Sequence, residues 1–71
     1  SDLNVTYNVV LVDESGKETI LAEQTYFLPY NEVSGIMEAP VTKEDIGKSF
    51  KDITIQKLSK HLVDKGQISI V

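Results

Sequence analysis

The chain has 71 residues, 41% apolar and 25% charged, with a formal net charge of −4 and no cysteine. These values fit one small globular domain near the lower size limit for a single core, and they exclude global disorder, a disulfide framework and a thiolate metal site. No apolar run approaches the roughly 18 to 20 residues that cross a bilayer as a helix, and arginine, the best bidentate reader of phosphate and guanine, is absent.

A single domain over residues 1–71 is therefore expected. The chain opens on Ser1-Asp2 instead of Met, a start that fits trimming from a longer protein or a short added scar. Lack of cysteine slightly favours a reducing cytoplasm as the compartment. Charge is unevenly spread. Residues 1–42 hold seven acids against Lys17 alone, a balance of −6, whereas residues 43–71 hold six lysines against four acids, a balance of +2. An acidic sheet and a mildly basic helix are the expected result.

The first strand is predicted over Leu3 to Val12, where Val5, Tyr7, Val9 and Leu11 alternate with Asn4, Thr6 and Asn8. Asp13, Ser15 and Gly16 suit a hairpin loop, and a second strand is predicted from Glu18 to Leu28, stopped by Pro29. Leaving Glu14 to Lys17 as the loop pairs Leu11 with Ile20, Val9 with Ala22, Val5 with Tyr26 and Leu3 with Leu28. That register gathers most large apolar groups on one face and leaves Val10, Val12, Leu21 and Phe27 on the other.

Residues 29–41 show neither helical nor alternating periodicity and are read as a long loop folding back over apolar surface. Thr42 with Asp45 resembles a helix start, which Gly47 limits to about one turn. Ser49 or Asp52 can cap a helix from about Ile53 to Lys65, with Ile55, Leu58 and Leu62 on one face and Gly66 as its left-handed stop. The tail Gln67-Ile68-Ser69-Ile70-Val71 alternates as a third strand. The predicted fold is a small α+β domain of order β-β-α-β. Its three-stranded sheet has spatial order 2-1-3, covered on one face by the C-terminal helix.

No residue pattern reaches a catalytic or ligand-binding signature. His61 stands alone without Cys or a suitably spaced Ser partner, so a surface or boundary role is its default reading. Glu44-Asp45 and Asp13-Glu14 suit a helix start and a hairpin loop better than acid/base work across a cleft. Gly47-Lys48-Ser49 lacks the upstream glycine of a phosphate loop. Accordingly no catalytic, cofactor-binding or metal residue is assigned, no cofactor is expected, and nucleic acid and membrane are not expected partners.

What remains is surface. The candidate interaction residues are Val10, Leu21, Phe27, Tyr30 and Met37, on a second apolar face and an aromatic loop that one helix cannot cover. The leading expectation is a small non-enzymatic protein-interaction module, docking on a larger protein or forming a homodimer. The alternative is a structural spacer module excised from a larger surface or assembly protein.

Overall fold

The computed structural model describes residues 1–70. Its element order is β1 (Leu3–Val12), β2 (Glu18–Leu28), α1 (Tyr30–Met37), a single 3-10 turn (Lys43–Asp45) and α2 (Phe50–Asp64). The class is α+β, but the sheet among the described residues has two strands, not three.

The hairpin forms where alternation and turn chemistry agree. Asp13 organises the loop: its Oδ1 accepts from the Ser15 amide at 2.9 Å, the Ser15 hydroxyl at 2.6 Å and the Lys17 amide at 3.0 Å. Gly16 takes the positive φ of +86° that closes it. From Leu3 to Val9 the ladder follows the expected register, Leu3 opposite Leu28 and Val9 opposite Ala22. Along this stretch Leu3, Val5, Tyr7 and Val9 are half-buried, whereas Asn4, Thr6 and Asn8 are exposed. Across the hairpin the exposed Thr6 and Thr25 hydroxyls meet at 3.2 Å.

Beyond Val9 the register corrects the simple alternation. A bulge shifts the pairing so that Val10, not Leu11, opposes Ile20, and Leu21 is left without a cross-strand partner. A bulge places one extra residue in one strand and bends it. The extra residue lies in β2, so Val9 and Val10 still alternate in β1, and both are half-buried.

Residues 29–41 are not a long loop. Tyr30–Met37 is a two-turn helix, started by Pro29 in extended conformation. The Tyr30 amide donates to Asp2 Oδ1 at 2.7 Å, and the Lys57 ammonium donates to the carbonyls of Met37 and Ala39 at 3.2 and 2.6 Å. A carboxylate at the N-terminus and a cation at the C-terminus satisfy orphan backbone groups and complement the helix dipole. Both come from elsewhere in the chain.

Thr42 and Asp45 form the expected one-turn start, with the Thr42 amide donating to Asp45 Oδ2 at 3.0 Å. Ser49 caps α2 by accepting from the Asp52 amide at 3.1 Å. Gly66, at φ +74°, ends the helix: its amide donates to the Val63 carbonyl and the Gln67 amide to the Leu62 carbonyl. Those two bonds are the paired closure that a left-handed glycine permits.

The third strand is overturned. Ile68–Ile70 do not join the ladder, so the 2-1-3 order and the crossover through the helix fall away. The tail shares a cleft with residues of both strands, and the Gln67 side-chain amide donates to the Tyr7 hydroxyl at 3.3 Å. It lies against the hairpin without a ladder bond to either strand.

The core is small and sits where three elements converge. Leu28 of β2, Ile36 of α1 and Leu62 of α2 are its buried apolar residues. An 11-residue strand at ~3.3 Å per residue runs about 36 Å, whereas a 15-residue helix at ~1.5 Å per residue runs about 22 Å. The molecule's longest dimension is 37 Å. The two helices pack on each other and meet the hairpin at its base, near Tyr26 and the buried Leu28, so α2 does not cover the sheet face as expected and the far end of the hairpin is left open.

Candidate functional site

The far end of the hairpin is the site that the helices leave open. Leu11, Ile20 and Leu21 are 60%, 63% and 61% exposed, and Val12 is exposed beside them. Leu11 and Ile20 are held in place by the ladder, and because Ile20 opposes Val10 and Leu11 opposes Thr19 they make the tip of the ribbon apolar on both its faces, with Leu21 at the bulge.

The five residues singled out from sequence are distributed over more than one surface. Val10 is half-buried and lines the cleft beneath the tail. Leu21 is the unpaired bulge residue and is exposed. Phe27 and Tyr30 are also exposed, at the base of the hairpin and the first position of α1. Leu21 and Phe27 are six steps apart along the strand, about 20 Å at ~3.3 Å per residue, so the two do not share one compact patch. Met37 is half-buried at the end of α1, where its carbonyl accepts from Lys57.

Leu11 and Ile20 were assigned to the covered face by the alternating pattern, and both belong to the open end. Their exposure follows from placement: the helices pack on each other and meet the hairpin only at its base. Ile46 and Phe50, each 82% exposed, form a further apolar spot before and at the start of α2.

Electrostatics set the hairpin apart from the rest. Asp13, Glu14, Glu18 and Glu23 face a single cation, Lys17, in that segment, and none of the four acids is in a salt bridge among the described residues. The hydrogen bond from the Ser15 side chain, with those from loop amides, holds the Asp13 carboxyl below the usual carboxylate range. The loop carboxylate thus stays charged while it serves the turn.

The helical half has its own polar cluster. Asp45, 7% exposed, is held low chiefly by the Thr42 amide and further by Lys48 and Gln56, which donate to Oδ1 at 3.3 and 3.2 Å. Each oxygen has a fold-stabilising donor, so this carboxylate is committed to structure. His61 lies 3.5 Å from Glu32 Oε2 without a hydrogen bond at Nε2. Among the described residues no group of three His, Cys, Asp or Glu side chains is placed to hold a metal ion. No helix among them is long and apolar enough to cross a membrane. No family model matches the chain, and no curated protein or solved structure is detectably similar to it.

Proposed function

We propose that this domain is a non-enzymatic protein-interaction module that docks on another protein through the far half of its hairpin. The observation that carries this reading is the exposure of Leu11 and Ile20 on ladder-held backbone, with Leu21 exposed at the bulge beside them. Apolar side chains fixed on a rigid element lose little entropy when they are covered, and covering them returns hydrophobic free energy.

Charge favours a different protein over a second copy. A facing hairpin would bring the same unpaired acids against Asp13, Glu14, Glu18 and Glu23, and like charges brought together oppose association. A homodimer is therefore the competing outcome. Light scattering over a wide concentration range separates the two: the reading requires the mass to stay at 7.9 kDa, and a concentration-dependent dimer refutes it.

Site-specific photo-crosslinking tests the docking surface itself. A crosslinking side chain at position 21 is expected to capture one partner in the cells of origin, and the same group at position 55 on α2 is not. The capture must be lost in Leu11→Lys. Equal adducts from both positions, or none from position 21, would reject the hairpin as the docking surface.

A further inference from the structure

Beneath the tail, the hairpin encloses a cleft of about 500 Å³, within the ~300–1,000 Å³ of typical binding clefts. Its apolar lining comes from Val9, Val10 and Ile20 of the hairpin and from Ile68 and Ile70 of the tail, with Glu18 also on its wall. The tail side is chemically unfinished. Ile68, Ser69 and Ile70 make no backbone hydrogen bond to another described residue, although they line the cleft opposite the hairpin. Unpaired amides and carbonyls beside an apolar floor are what an added strand recognises.

The charge around the cleft is not matched from within the chain. Lys48, Lys60 and Lys65 are in ion pairs, and Lys57 serves the end of α1. Lys43 and Lys51 are in no ion pair among the described residues, but they belong to the helical half and do not line the cleft. The hairpin acids have no ion-pair partner among the described residues, and Glu18 brings one of them to the wall of the cleft.

We propose that the cleft takes an extended, cationic segment of another protein. The segment adds to the tail as a strand, lays aliphatic side chains on Val9, Val10 and Ile20, and sets its lysines or arginines against the hairpin carboxylates. This assignment rests on the docking reading above and narrows it to one partner chemistry.

The test uses the full chain, isotope-labelled for amide NMR, titrated with an eight-residue synthetic peptide alternating valine and lysine. Its counterpart alternates valine and glutamate. The lysine peptide is expected to shift the amides of Val9, Val10 and Ile68 to Ile70, with binding about tenfold weaker when salt rises from about 0.05 to 0.5 M. The glutamate peptide is expected not to bind. Glu18→Lys and Ile70→Asp, both at exposed positions, should each weaken binding about fivefold or more while the spectrum stays folded.

Shifts confined to Leu11, Val12 and Leu21 would overturn the cleft but leave the docking reading standing. Equal binding of both peptides, no binding at about 1 mM, or an unaltered affinity in Glu18→Lys would overturn the cationic partner. The crosslinking result at position 21 then decides the broader reading separately.

Discussion

Lys65, at the C-terminal end of α2, donates to both carboxylate oxygens of Glu32 in α1 at 3.2 Å. The same ammonium reaches the Tyr26 hydroxyl of β2 at 3.3 Å and sits 5.8 Å from that ring's centre. One side chain thus ties the hairpin, α1 and α2 together beside a core made of only a few buried residues.

The hydrogen bond to Tyr26, then that to Glu32, holds Lys65 above the usual lysine range. A cation whose pKa is raised by folding stabilises the fold fully below its unfolded value, near 10.5, and loses that contribution as pH rises through the higher folded value. Wild-type stability is therefore expected to fall in alkali above that point. Lys65→Met should begin lower at pH 8 and show a flatter decline, read from urea midpoints across the alkaline range.

Asp45 has the opposite sign. Its pKa is lowered in the fold, chiefly by the Thr42 amide, so its stabilisation is present above the unfolded value near 3.8 and is lost as pH falls through the lower folded value. Asp45→Asn is expected to destabilise at pH 7 and to reduce the acid sensitivity below about pH 4. Denaturation curves at pH 7 and in the acid range check both. A variant with the wild-type acid slope would show that other carboxylates dominate.

Core and docking surface should separate cleanly in stability measurements. Leu62 is 1% exposed, and Leu62→Ala is expected to cost about 2–5 kcal/mol through lost burial and a residual cavity. Against a total of roughly 5–15 kcal/mol for a folded domain, that change can unfold much of a chain this small. Leu21→Ser, at an exposed position, is expected to stay within about 0.5 kcal/mol. Urea titrations followed by circular dichroism distinguish these outcomes, and a large loss in Leu21→Ser would place Leu21 in the fold instead of on a free surface.

Local signals and structure agree where stabilisation is local. The alternation from Leu3 to Val9, the Asp13 loop, the Ser49 cap and the Gly66 stop are all readable from neighbouring residues. Helix α1 was hidden because its supports are distant: Asp2 lies 28 positions from Tyr30 and Lys57 lies 20 from Met37. A two-turn helix with an internal glycine has too little propensity to announce itself, and packing decides it. The bulge was hidden because Val9, Val10, Leu11 and Val12 are all apolar, so period two cannot fix the register there. Alternation in the tail gave a strand-like segment but no information about an edge to join. Of the candidate site, the apolar character of Leu21 and Val10 was legible, whereas the cleft depends on where Gly66 directs the tail.

Two glycines should respond to alanine with opposite signs. Gly66 holds φ +74°, and a Cβ there meets no atom within 4 Å, so the cost of Gly66→Ala is conformational alone. Left-handed backbone costs a residue with a Cβ about 1–2 kcal/mol, and the variant should lose that much stability and loosen the tail. Gly35 lies inside α1 on an exposed position with equally open space around its Cα. There alanine restricts the unfolded chain and suits the helix, so Gly35→Ala is expected to gain about 0.5–1 kcal/mol. Paired thermal and urea measurements on the two variants read the difference directly. A stabilised Gly66→Ala would contradict the left-handed closure of α2, and a destabilised Gly35→Ala would contradict a helical α1.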